Sequence, residues 1–144
     1  MEIKVVTTDP EQKEAYRIRK IVFVDEQNVP MDLEIDEHEE ASIHFIAYAY
    51  NGKDIVGASR LRFVGEYGKL ERICVLKSYR GKSYGKKLID KMEEEIVNKG
   101  YKKAKLHAQT HAKEFYERLG YEVISDEFMD AGIPHVAMTK ELTK

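Results

Sequence analysis

The sequence predicts a mixed α/β domain whose elements run β-α-loop-β-β-β-α-β-α-β-β. Three observations carry that prediction. Between Leu70 and Leu88 a strand passes into a helix: Glu71, Ile73 and Val75 share one face at period two, with Leu70 and Cys74 on the other. Leu88, Ile89, Met92 and Ile96 then recur at helical spacing. Asn51-Gly52 between two apolar runs is the dipeptide that tight hairpins favour, because their central residues need positive φ. Asp9-Pro10-Glu11 reads as a helix start, with Asp as the cap, Pro at the first helical position and an acid in the first turn.

In chain order, Glu2 to Thr8 is a short strand rich in Val, Ile and Thr. Ala15, Ile18 and Val22 form the buried stripe of the first helix, which runs on towards Pro30. Asp32, Glu34, Asp36, Glu37, Glu39 and Glu40 make an acidic segment, a loop with one helical turn, that either attracts a cationic acceptor or is merely solvated. Ile43 to Tyr50 is apolar on both faces, as a central strand covered on both sides would be. Ile55 to Val64 returns as its partner, and Gly65-Glu66-Tyr67-Gly68 turns the chain into the strand at Leu70. Gly100 caps the end of the long helix. Lys103 to Gln109 is a strand, and Ala112, Phe115, Tyr116 and Leu119 form one face of a helix stopped by Gly120. Tyr121 to Phe128 and Pro134 to Leu142 are two last strands joined around Asp130-Ala131-Gly132-Ile133.

Composition excludes several classes of function. A chain of 144 residues, 42% hydrophobic and 35% charged, can bury a real core and is not disordered. A net charge of −2 and pI of about 6.2 argue against a nucleic-acid binder. The single cysteine, Cys74, rules out a disulfide framework and a cysteine-based metal site. No apolar run is long enough to span a bilayer and no signal-peptide pattern follows Met1, so the expectation is a cytoplasmic protein with no membrane partner.

The turn between strand and helix, Arg80-Gly81-Lys82-Ser83-Tyr84-Gly85-Lys86, is the most informative stretch. A strand entering a helix through a Gly-rich turn presents unpaired N–H groups at the positive end of the helix dipole, and four cations stand nearby: Arg80, Lys82, Lys86 and Lys87. That is a phosphate site. It is not a nucleotide P-loop, since only three residues separate Gly81 from Gly85 and Lys87 stands where Ser or Thr would be needed, and it lacks the dinucleotide G-x-G-x-x-G.

The turn resembles the pyrophosphate loop of the GNAT superfamily of N-acetyltransferases, Arg/Gln-x-x-Gly-x-Gly/Ala. Arg80 and Gly85 match the first and last positions, while Ser83 replaces the usual middle Gly. A serine fits there only at negative φ, as expected of the first residues of a helix. Ala108 to Tyr121 is similar to the segment in which the family places a Phe-Tyr pair before a Gly-Phe/Tyr ending. Arg19 to Pro30, with Glu34 and Asp36, resembles the ElaA/YjcF-like branch and its VFV-x-EQ-x-x-P pattern.

The resemblance implies the GNAT-type acyl-CoA N-acyltransferase fold. That is a mostly antiparallel sheet of about six to seven strands, flanked by about four helices, with strands 4 and 5 splayed, and residues 1–144 forming one acetyltransferase domain. It implies acetyl-CoA as cosubstrate, a primary amine as acceptor and no metal. The N–H groups of Gly81, Lys82, Ser83, Tyr84, Gly85 and Lys86, with Arg80, would cradle the pyrophosphate. The backbone of Ile73, Cys74 and Val75 would bond the pantetheine like an added strand and supply oxyanion donors, although these residues also suit a plain core role. Gln109 and His111 fall near the cofactor mouth, and Phe115 packs beside them. Tyr116 would be the general acid for the leaving thiolate, the alternative being a core tyrosine on an amphipathic helix. Glu71 is either the base or an ion-pair partner of Arg60, Arg62 or Arg72, and Glu26 is a second candidate base. Cys74 is more often a small buried hydrophobe than a nucleophile at such a position. His38, His44 and His135 carry no role. Two other functions stay open: a non-catalytic acyl-CoA-binding module, and transfer of a longer acyl group as in acyl-homoserine-lactone synthases. A homodimer through the final strands is also expected.

Overall fold

Thr8, rather than Asp9, caps the first helix of the structure, a computed structural model that describes residues 2–142. The Thr8 hydroxyl accepts from the Glu11 N–H while the Glu11 carboxylate accepts from the Thr8 N–H, a reciprocal capping box that Asp9 cannot form from one position later. This ends strand β1 (Glu2–Val5) short of Thr8 and starts helix α1 (Asp9–Arg19). The chain then widens into a π-helix over Lys20–Glu26, makes the four-residue helix α2 (Met31–Glu34), and crosses to β2 (Ile43–Tyr48).

The hairpin strands β3 (Ile55–Val64) and β4 (Tyr67–Val75) follow, with Gly68 inside β4 rather than in the turn. A Cβ on Gly68 would lie 2.3 Å from the Ile96 side chain, so glycine there sets how closely the next helix packs. That helix, α3 (Tyr84–Asn98), leads to β5 (Lys103–Gln109), a 3₁₀ turn over Thr110–Ala112 and the short α4 (Lys113–Arg118). The single strand expected over 121–128 is broken into β6 (Glu122–Val123) and β7 (Phe128–Asp130). Both lie along one edge of β8 (Ile133–Glu141), and Ala131-Gly132, at φ of 52° and 77°, turns β7 into β8.

The sheet has eight strands in the order β1-β2-β3-β4-β5-β8, with β6 and β7 completing it, and every pair is antiparallel except β4 with β5. Helix α3 covers one face with Leu88, Ile89, Met92 and Ile96, all buried, against Phe45, Leu61, Leu70 and Leu106. Helix α1 covers part of the other face with Ala15, Ile18 and Val22 against Ile46, Ala58 and Cys74. Among the described residues no helix is long and apolar enough to cross a membrane.

Only half of the acidic segment is solvated: Asp32, Glu37 and Glu40 are exposed, while Glu34, Asp36 and Glu39 turn inward. Glu34 is 1% exposed and Glu39 is 8% exposed, because two fully buried arginines consume their charge. Arg19 bonds Glu34 at 2.9 Å and Glu39 at 2.8 Å; Arg60 bonds Asp36 and Glu39 at 2.8 Å; Arg72 reaches Glu34 and Asp36. Charges this deep survive only when paired, so the network ties α1, the 31–40 segment and the β3–β4 hairpin together.

Candidate active site

Strands β4 and β5 pair in parallel only from Tyr67↔Lys103 to Leu70↔Leu106, and beyond that point they part. Residues 71–75 stay with β3 and residues 107–109 stay with β8. The edge of β4 that faces β5 therefore has no strand partner over 71–75. A cleft of about 570 Å³ opens there, lined by Ile73, Glu71, His107, Gln109, Tyr116 and His135 among others.

A bulge re-aims the side chains at this point. Arg72 sits at φ of 56°, and two residues, Arg72 and Ile73, oppose the single Ser59 between the Arg60↔Glu71 and Ala58↔Cys74 pairs. The extra residue breaks the expected alternation. Ile73 and Val75 join Leu70 on the α3 face, whereas Glu71 and Cys74 point to the α1 face. Glu71 thus does not share a face with Ile73 and Val75, contrary to the simple period-two pattern.

The turn into α3 has the shape of an anion cradle. Gly81 and Ser83 are both left-handed, at φ of 78° and 70°. The negative φ expected for Ser83 is not what the chain adopts; the serine carries a left-handed conformation that glycine would adopt without cost. In that conformation its hydroxyl makes no cap, and no acidic residue stands in the first turn, so the leading N–H groups of α3 are left for another acceptor. Tyr84 is buried and offers only its backbone. The cations divide their duties. Arg80 is a strut, its Nε donating to Val75 O at 2.9 Å and its Nη atoms to Glu26 at 2.7 and 2.8 Å, while Lys86 pairs with Asp90 and Lys82 lies over the Tyr79 ring. Phe115 faces the same turn, its ring tip 3.9 Å from where a Cβ on Gly85 would be.

The reactive groups separate by face. Tyr116 packs against the α3-side core, edge-on to Phe115 and Tyr121, and burial pushes its phenol up to about 12. Glu71 is held at about 2: burial alone would raise it, but the hydrogen bond from Arg62 and the charges of Arg60 and Lys69 overwhelm that. The hydrogen bond from Arg80 likewise lowers the Glu26 carboxyl. Both carboxylates are counter-ions here, a role the sequence left open for Glu71 and did not foresee for Glu26. Cys74 donates to Ala58 O at 3.6 Å, and burial drives its thiol up to about 12, which removes it as a nucleophile.

Gln109 donates to Gln27 Oε1 at 2.8 Å and meets His111 Nε2 at 2.6 Å, linking the end of β5 to the segment after the π-helix. His107 is pushed down to about 4 by burial and by Lys69 and Lys105. His135, to which the sequence assigned nothing, lies in the same cleft, paired in register with Gln109. Arg19 and Arg60 were also missed as the anchors of the acidic segment. Among the described residues no group of three or more His, Cys, Asp or Glu side chains is arranged to hold a metal ion.

Comparison with known proteins agrees with this geometry. Residues 8–142 match the acetyltransferase (GNAT) domain family. The chain is 44% identical over 142 residues to YjcF of Bacillus subtilis (strain 168), an uncharacterized N-acetyltransferase, covering 98% of this chain and 100% of that protein. The crystal structure of Escherichia coli ElaA superposes with a TM-score of 0.86 at 24% identity, over 98% of this chain and 100% of that one. An aminoglycoside 6′-N-acetyltransferase complexed with coenzyme A superposes with a TM-score of 0.79 at 18% identity, over 100% and 98%. The last two likenesses show the fold. With an eight-stranded sheet that parts between β4 and β5 and a family match across nearly its whole length, the chain is an acyltransferase that belongs to the GNAT acetyltransferase family.

Proposed function

We propose that residues 1–144 form one domain that transfers an acetyl group from acetyl-CoA to a primary amine by direct attack, with both substrates bound together. The observation that carries this reading is the free edge of β4 over 71–75, lying between the uncapped start of α3 and the cleft. The N–H groups of 81–86 would hold the pyrophosphate, and the backbone of Ile73 to Val75 would pair with the pantetheine amides, so the side chains of Cys74 and Tyr84 need not touch the ligand. Gln109 and His111 stand at the mouth of the cleft, and Phe115 beside the pyrophosphate turn. The thioester supplies an activated acyl carbon. The chain's own part is to orient it, to polarise its carbonyl with β4 N–H groups, and to manage two protons.

Tyr116 acts as the general acid. As the amine nitrogen bonds to the acyl carbon and the C–S bond breaks, the phenol gives its proton to sulfur and later regains one from solvent. Burial raises the phenol's pKa, and it would raise that of a thiol beside it in the same direction, so the two stay matched. Glu71 and Glu26 hold the walls. The amine itself is unassigned by these features, and a dimer through the β6–β7 edge, where Val123, Ile124 and Met129 are exposed, belongs to the same proposal.

Thiol release from acetyl-CoA against a panel of primary amines tests the reading. Tyr116→Phe should lower kcat by roughly 100-fold with the coenzyme Kd unchanged. An acyl-chain-length series separates acetyl from longer acyl transfer. Absence of coenzyme A binding by calorimetry at millimolar concentration would end it.

A further inference from the structure

We propose that His135 is the general base that takes the proton of the attacking amine, an inference that rests on the acetyl-transfer reading above. Its position, its tautomer and its surroundings each support it. As the partner of Gln109 in the β5–β8 ladder, it stands beside the last residue of β5, at the open end of the parted strands, on the face away from α3. It lines the same cleft as Tyr116.

Its ring is held in a working orientation. Nδ1 lies 2.7 Å from Ile133 O, and because a carbonyl can only accept, Nδ1 carries the proton and Nε2 carries the lone pair. Pro134, between donor and acceptor, has a fixed φ and keeps the spacing stiff. The imidazole stacks on Phe128 with ring centroids 6.1 Å apart, and only 8% of the residue is exposed. Nε2 meets no protein hydrogen-bond partner among the described residues, in a side chain that lines the cleft.

The neighbours are less suited to this work. Glu71 is neutralised by Arg60, Arg62 and Lys69, and Glu26 by Arg80. His111 is exposed and bonds Gln109 through Nε2, so only its solvent-facing Nδ1 could take a proton, and burial together with Lys69 and Lys105 makes His107 a weak base. Of the other titratable groups lining the cleft, Asp36 is paired with Arg60 and Arg72, Glu37 lies 3.4 Å from His38, and Asp32, Glu37 and Asp130 are exposed carboxylates, Asp130 lying on β7 beside the β8 strand that carries His135.

The chemistry also divides by face. Tyr116 belongs to the α3-side core and His135 to the opposite face, so the sulfur receives its proton on one side of the gap while the amine loses its proton on the other. As the N–C bond forms, Nε2 takes the ammonium-type proton; as the C–S bond breaks, Tyr116 protonates sulfur. Each side chain then exchanges its proton with water, and the account balances with no further reactant.

The test uses the whole chain, acetyl-CoA and an amine from the panel that the wild type acetylates. His135→Gln keeps the shape and removes the base, and should lower kcat about 100-fold or more while the KM for acetyl-CoA moves less than threefold. The acid limb of the kcat–pH profile should vanish, and added imidazole should restore part of the rate to His135→Ala. Unchanged kcat and pH profile in His135→Gln would overturn the proposal. So would a loss of rate matched by a loss of coenzyme binding without imidazole rescue, which marks a structural role. If the wild type acetylates no amine, it is the underlying acetyl-transfer reading that fails.

Discussion

The two sides of the cleft, proposed above to meet the coenzyme and the acceptor, are built from different materials. Around the start of α3 the groups left free are backbone groups: the N–H donors of the 81–86 turn and the bare edge of β4. Across the sheet, the opposite wall is built from side chains, with Arg19, Arg60 and Arg72 gripping Glu34, Asp36, Glu39 and Glu71. Backbone recognition depends on conformation and tolerates many side chains. A wall of buried ions tolerates almost no change, because each partner removed strands a charge in low dielectric.

Substitutions on each side should reveal the contrast. Arg60→Met leaves Asp36, Glu39 and Glu71 without their shared cation, and should cost about 3–5 kcal/mol in chemical denaturation. Loss of less than 1 kcal/mol would show that the wall is not electrostatically built. Acid should attack the same wall. Asp36 and Glu71 both sit at about 2 in the folded state, below their unfolded values, so the stability they contribute is complete above about pH 5 and is lost as pH falls towards 2. Each accounts for on the order of 2–3 kcal/mol. Melting temperatures from pH 6 to 2.5 check this, and a flat profile would refute it.

The hinge shared by both halves is tested by Gly68→Ala. Its new methyl would collide with Ile96 and should destabilise by about 1–3 kcal/mol, read from the denaturation midpoint. The smallest effect should come from Ser83→Gly. Relief of the left-handed serine should add about 0.5–1 kcal/mol of stability, with coenzyme affinity unchanged because the proposed contact is through backbone. A several-fold loss of affinity would show that the serine side chain binds the ligand.

The same contrast explains what could be read from the sequence. β3 and β5 appear with the ends that periodicity predicts, as does the buried stripe of α3, because those signals are local. The turn into α3 was legible for the same reason. The arginine network was not, since Arg19 finds its carboxylates 15 and 20 residues away and Arg60 finds Asp36 at a separation of 24, so only folding reveals that the acidic run is spoken for. The bulge at Arg72 and the left-handed Ser83 are single-residue departures that no period announces. His135 escaped for a different reason: its significance comes from Gln109, a strand neighbour 26 positions earlier. Tyr121 to Phe128 reads as one strand, yet it pairs only at its two ends.

The extra residue at position 72 also decides which side chains each layer of the molecule meets. It lets Glu71 and Cys74, three positions apart, lie on the α1 side while Leu70, Ile73 and Val75 lie on the α3 side. A strand of strict period two would have set the ion-paired carboxylate and the apolar Ile73 and Val75 on one and the same layer.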